Sequence, residues 1–255
     1  MHVTVPVIQV ADGQFGYRNE TAVRADLVVN ASEIVALLGP NGSGKTTLLK
    51  GMLGLVDQLG GEVSLFGTPL AEFRERALIG YVPQRQSAAG PIPVTVRELV
   101  RSGRLAHKGL LRRWQRSDRD AVDAAIAAVG LHDKRRDPVA TLSGGQQRRA
   151  LVARALAGGA RVLLLDEPLA GVDQANQEAL ADALAVLIDG GVTVVVVLHE
   201  LGPLESLVTR TVCLDAGLVV FDGPLEAAPP NLLHLGHDHD PHGGPERRTG
   251  LGLVP

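Results

Sequence analysis

The chain has 255 residues, 45% of them hydrophobic and 21% charged, with a formal net charge of −3. That length suits one large domain or two small ones with an ample core, and the charge gives no basic footprint for nucleic acid. Cys213 is the only cysteine, which excludes an intrachain disulfide and fits a reducing compartment.

In chain order, the opening MHVTVPVIQVADG lacks the basic start and apolar run of a secretory signal. EIVALLG (33–39) reads as a buried strand entering a glycine loop, and TTLLKGMLGL continues as a helix. GEVSLFG and LIGYVPQ read as short strands. From about residue 88 to residue 159 the strand signals vanish, and the helical segments TVRELVRSGRL, SDRDAVDAAIAAVGL and GQQRRALVARALAGG replace them. This is a composition shift inside one domain and predicts a helical insertion. Strands return with RVLLLDEP and GVTVVVVLHE around the helix QEALADALAVLID, followed by the hairpin-like RTVCLDAGLVVFDG, in which Cys213 reads as a small core residue. The alternation predicts an α/β fold with a largely parallel sheet. After Pro224 the chain turns rich in proline, glycine and histidine, and a flexible tail is expected. The longest apolar runs, VVVVL and VLLL, fall far short of the ~20 residues that cross a bilayer. A soluble chain is expected, meeting any membrane through a partner.

GPNGSGKTT (39–47) satisfies the phosphate-loop pattern in its required setting, strand before and helix after. Gly39, Gly42 and Gly44 let backbone N–H groups turn toward phosphates, with Pro40, Asn41, Ser43 and Thr47 completing the loop. Lys45 is expected to reach the terminal phosphates and Thr46 to ligate Mg²⁺. RVLLLDEP supplies carboxylates: Asp166 emerges at the carboxyl end of a buried strand, where open α/β sheets place ligands, and can hold the Mg²⁺ water shell. Glu167 is expected to point elsewhere by strand alternation, free to orient or deprotonate the attacking water. His199 ends another buried strand and suits the γ-phosphate or the water. Gln84 ends a third and suits Mg²⁺ or the water. Alone, each of these two reads as a structural or surface residue.

TLSGGQQRRA (141–150) looks like a second anion cradle, a hydroxyl residue and two glycines running into a helix. One nucleotide has one triphosphate, so this cradle needs another occupant.

Taken in order, these motifs resemble the ATP-binding cassette family, specifically the ATPase subunit of a membrane transporter, over about residues 8–225. The resemblance places Tyr17 on adenine, 39–47 as the Walker A loop, Gln84 in the glutamine loop, and Ser143, Gly144, Gly145 and Gln146 in the signature motif. It makes Asp166 the Walker B aspartate, Glu167 the catalytic glutamate, Asp173 the aspartate loop and His199 the switch histidine. The fold it implies is a P-loop NTPase (RecA-like) core with an N-terminal antiparallel β subdomain and an inserted α-helical subdomain at about 88–159. It also implies ATP and Mg²⁺, and a second copy docked head to tail, so that the signature of one chain closes on the nucleotide of the other. Beyond the pair it implies an integral membrane permease, an extracytoplasmic metal-binding protein and a place on the cytoplasmic face of the membrane.

LAGVD departs from the commonest aspartate loop, which has serine-alanine-leucine before the aspartate, and resembles the loop of metal-ion importers. The segment YVPQRQSAAGPIPVTVRELVRSGR is similar to the zinc and manganese subgroup, and its proline and glycine suit a groove for a permease helix. In the tail 226–255, His234, His237, His239 and His242 interleave with Asp238 and Asp240. That composition reads about as well as a weak, adaptable metal site as it does as plain polar chain, and the resemblance tips it toward a zinc-sensing or zinc-buffering role. Transport of another substrate, such as a siderophore or drug, is the neighbouring alternative. Outside transport, repair cassettes carry a long coiled coil between Walker A and the signature, and no sustained heptads occur between Lys45 and Leu142; translation cassettes usually come two per chain.

Overall fold

The structure is a computed structural model that describes residues 5–84, 93–108 and 113–230. The histidine cluster of the tail and residues 85–92 of the segment after Gln84 lie outside the described residues.

Strands β1 (Ile8–Tyr17) and β2 (Glu20–Val29) form a hairpin, followed by β3 (Ile34–Leu38) and helix α1 (Lys45–Met52). Strands β4 (Asp57–Leu65), β5 (Thr68–Pro69) and β6 (Ile79–Val82) come next. Helices α2 (Val96–Lys108), α3 (Arg116–Ala128) and α4 (Gly144–Ala157) occupy the connection between β6 and β7 (Val162–Asp166). The chain continues through α5 (Gln174–Asp189), β8 (Thr193–Val197), β9 (Arg210–Asp215) and β10 (Leu218–Gly223).

The ten strands lie in the order β5-β4-β1-β2-β10-β9-β3-β8-β7-β6. Only the run from β9 to β6 is parallel throughout; β1, β2, β4 and β5 pair antiparallel, as do β9 and β10. The sheet is therefore mixed rather than largely parallel. The N-terminal strands carry the difference, because β1 and β2 alternate buried and exposed residues, as antiparallel strands with one wet face do.

The central strands are buried on both faces, and period-two alternation divides their side chains between two cores. Ile34, Ala36, Leu38, Leu163, Leu165, Val194 and Val196 join α3, α4 and α5 in one. Val35, Leu37, Val162, Leu164, Val195 and Val197 join Phe15, Leu27 and the Leu48, Leu49 and Met52 face of α1 in the other. This two-sided burial is why these strands read as unbroken apolar runs.

Cys213 sits in the first core at 0% exposure, and burial pushes its thiol up to about 11. Iodoacetamide at pH 8 is expected to leave it unmodified in the native protein and to alkylate it in denaturant, read by intact mass. Rapid labelling of the folded chain would contradict that burial.

The candidate nucleotide site

Strands β3, β8, β7 and β6 are parallel neighbours, so their carboxyl ends line one edge. That topology brings together motifs more than a hundred residues apart, in the crevice where open α/β sheets bind ligands.

The glycine loop leaves β3 and enters α1. Gly39 has φ 143°, and a Cβ there would lie 2.1 Å from the Leu214 carbonyl oxygen, so only glycine fits. Gly44, with φ 98° in the left-handed region, caps α1. The loop is held to the β9–β10 hairpin by Gly217 N–H donating to the Ser43 carbonyl at 3.2 Å. Pro40 accepts from the Ser43 N–H at 3.2 Å; Asn41 and Gly42 form the exposed tip, and Thr47 lies in the first turn of α1.

Lys45 is 5% exposed, and its Nζ donates to the carbonyls of Gly39 and Pro40 at 2.7 and 2.8 Å, folding the side chain back over its own loop. Burial pushes its ammonium below the usual lysine range, while Glu167 and then Asp166 pull the other way. Ser43 Oγ is buried with no hydrogen-bond partner among the described residues. A donor-lined turn, a buried cation and an orphaned hydroxyl at a helix start suit a phosphate chain.

Asp166 ends β7 at 3% exposure and accepts from Thr46 Oγ1 at 2.7 Å. Burial raises its carboxyl pKa, the Thr46 hydrogen bond opposes the rise, and Glu167 adds to it. A hydroxyl paired with a carboxylate at a phosphate loop is an oxygen donor set that suits Mg²⁺. Tyr81 on β6 also reaches this carboxylate, its hydroxyl 3.5 Å from Asp166 Oδ2, and burial together with Asp166 pushes the phenol up to about 12. In the sequence, Tyr81 carries no functional sign beyond being a phenol in an otherwise apolar strand.

Glu167 does not follow strand alternation. Its φ is 49°, left-handed, so β7 ends at Asp166 and the backbone turns before Glu167. A non-glycine residue in that region stores on the order of 1 kcal/mol and persists where its surroundings fix it. Here Glu167 N–H donates to the Val197 carbonyl at 3.1 Å, anchoring it to β8. His199 Nε2 donates to Glu167 Oε1 at 2.9 Å, and Gln84 Nε2 donates to Glu167 Oε2. The three polar strand-end residues thus meet at one carboxylate.

Other sequence-predicted residues stand apart from this cluster. Tyr17 ends β1 at 49% exposure. Ser143 caps α4: its Oγ accepts from Gln146 N–H at 3.3 Å, and Gln146 Oε1 accepts from Ser143 N–H at 3.1 Å. Gly144 and Gly145 form the first turn behind that reciprocal cap. Asp173 caps α5, accepting from Asn176 N–H at 3.1 Å. The two cradles are therefore on separate elements, 39–47 at β3–α1 and 143–146 at the start of α4. Arg149 and Asn176, to which sequence reasoning assigned nothing, link the last two caps.

Among the described residues, no helix is long and apolar enough to cross a membrane. The family model for ABC transporters matches residues 23–170. A manganese transport system ATP-binding protein of Bacillus subtilis is 40% identical over 78% of this chain and 79% of its own length. A zinc uptake system ATP-binding protein of Listeria innocua is 36% identical over 85% of each. The structure of cbiO1 from Clostridium perfringens, part of an ABC transporter complex, superposes with a TM-score of 0.76 over 86% of this chain and 88% of its own, at 24% identity. The chain belongs to the ABC transporter family, as one of its ATP-hydrolysing members.

Proposed function

We propose that this chain powers a membrane transporter that brings divalent metal ions, zinc or manganese, into the cell. The observation that carries the chemical half is the meeting of Gln84 and His199 on Glu167, beside the Thr46–Asp166 pair and the buried Lys45. The cargo half is supported by similarity to manganese and zinc transport proteins, together with the LAGVD loop.

In this reading Tyr17 stacks on adenine, and residues 39–47 wrap the phosphates with backbone N–H groups. Lys45 Nζ turns from its two carbonyl acceptors to the terminal phosphates. Thr46, Asp166 and the Gln84 side chain would hold Mg²⁺, which would supply charge neutralisation at the phosphates when bound. Glu167 takes the proton of the attacking water, and His199 holds that carboxylate in place while reaching toward the γ-phosphate. Phosphoryl transfer needs positioning and charge neutralisation more than covalent help, so this set is sufficient in kind.

Ser143, Gly144, Gly145 and Gln146, with Asp173, face the nucleotide of a second copy docked head to tail. The physical reason is that one face of donors cannot surround a γ-phosphate, and a capped helix start offers N–H groups and a favourable dipole for the far side. ATP then favours the closed pair by differential affinity and hydrolysis releases it, which gives the motion that drives transport. The pair works on the cytoplasmic face of the membrane, bound to an integral permease that receives its ion from an extracytoplasmic metal-binding protein.

A strain lacking this gene is expected to lose growth and cell-associated zinc or manganese in metal-limited medium. The native gene should restore both, and a Glu167→Gln copy neither. Unchanged metal content together with failure to accumulate a siderophore, or to expel a drug, would move the cargo elsewhere and leave the ATPase assignment standing.

A further inference from the structure

The first turn of α4 presses against the first turn of α5 and the loop that leads into it. A Cβ on Gly145 would lie 2.6 Å from Asn176 Cβ and 2.9 Å from Val172 Cγ1, whereas one on Gly144 would meet nothing within 4 Å. Two adjacent glycines of one turn therefore face different things. Gly144 faces open space, and Gly145 faces the wall made by residues 172–176.

One turn further along α4, Arg149 is buried at 8% exposure. Its Nη1 donates to the Val129 carbonyl at 3.1 Å, and its Nη2 to Asn176 Oδ1 at 3.3 Å. That acceptor role fixes which way the amide points. Asn176 Nδ2 accordingly donates to Asp173 Oδ2 at 2.7 Å, while its backbone N–H donates to Asp173 Oδ1. Both acceptors of the guanidinium are neutral, and burial lowers its pKa. A buried charge whose acceptors among the described residues are carbonyl dipoles is costly to disturb, so the geometry around it is firmly set.

We propose that Arg149 and Asn176 are positioning residues that lock the serine–glycine turn of α4 to the 172–176 segment, which leads into and begins α5, as one rigid unit. Ser143 and Gly144 are thereby presented to the partner's nucleotide with Asp173 in fixed relation to them. The missing side chain at Gly144 clears the way for that nucleotide; the missing side chain at Gly145 allows the packing inside this chain. The proposal rests on the cross-subunit reading above.

The test uses the full chain. Asn176→Ala keeps the backbone N–H that Asp173 caps but removes the bridge. It should lower kcat per ATP-binding site by about tenfold or more, as misplacement of a positioned group does. KM for ATP should stay within about twofold, because the 39–47 loop is untouched. Gly145→Ala should lower the melting temperature of the nucleotide-free protein by about 5 °C through overpacking. Gly144→Ala should leave that temperature within about 1 °C, since its Cβ meets only open space. In a Glu167→Gln background, Gly144→Ala should weaken Mg-ATP-driven dimerisation measured by light scattering. The lock is overturned if Asn176→Ala lowers the melting temperature but leaves kcat per binding site unchanged, or if the two glycine variants melt alike without nucleotide. Failure of the Glu167→Gln parent to dimerise would instead remove the cross-subunit reading, and the nucleotide-free melting comparison would still judge the lock.

Discussion

Replacing Glu167 with glutamine is expected to lower ATP turnover by about 10²–10⁴-fold, the usual loss on removing a positioned general base, while ATP binding survives and a closed dimer accumulates. The carboxylate accepts from His199 on one oxygen and from Gln84 on the other. Glutamine offers a single acceptor oxygen, so it keeps one of these hydrogen bonds and sets an N–H against the other donor. The substitution thus removes the base and also disturbs the orienting pair, with no change of volume. Phosphate release in a single turnover, together with light scattering in Mg-ATP, measures both consequences. Hydrolysis within about threefold of the native rate, well outside the range for a lost general base, would take the role away from Glu167.

Asp118→Ala should produce the largest loss of stability among single substitutions at ion pairs. Asp118 is wholly buried at the start of α3, and its Oδ1 accepts from Arg104 Nη2 at 2.8 Å and Nε at 3.2 Å. Its Oδ2 accepts from the Gln115 N–H at 2.9 Å, closing the helix start. Arg104 in turn donates to the Ala157 carbonyl at 3.1 Å, so this one cluster joins α2, α3 and the end of α4. Removing the acid leaves the Arg104 charge, 15% exposed, without this partner, a change that costs about 3–5 kcal/mol. A fall in melting temperature of about 10 °C follows for a domain of this size. The control is Arg97→Ala. It breaks an Arg97–Asp123 pair whose side chains are 46% and 43% exposed, worth less than about 1 kcal/mol. Equal melting shifts for the two variants would show that burial does not set the cost here.

The two substitutions act on different links of the same chain of cause. Glu167 sits at a strand end fixed by the parallel core, and its loss is felt in the chemical step. Asp118, through Arg104, joins α2 and α3 to the end of α4, and its loss is felt in the stability of the fold. A melting shift with normal turnover for the first, or normal melting with lost turnover for the second, would reverse these assignments.

What the sequence by itself determined is local. The phosphate loop of 39–47 is a contiguous pattern bounded by a strand and a helix. The buried strands announce themselves as apolar runs, and SGGQ contains both halves of the Ser143–Gln146 cap. Each of these depends on residues within a few positions of one another, through strand alternation, helix capping or backbone freedom at glycine. The resemblance to a family added roles, but the residues that carry it are these same short stretches.

Only the tertiary structure decided who meets whom. The strand order places β6, β7 and β8 side by side, and so gathers Gln84, Glu167 and His199 at one carboxylate from three distant places in the chain. Glu167 escapes the alternation rule because its backbone turns left-handed at the end of β7, which no period-two pattern encodes. The N-terminal antiparallel strands join the rest of the sheet through the pairing of Arg24 on β2 with Leu218 on β10. Arg149 finds Asn176, and Gly145 finds its wall, only because α4 and α5 pack together. A pairing between residues far apart in sequence carries no local signature, since its energy is realised when the sheet and helices have already assembled around it.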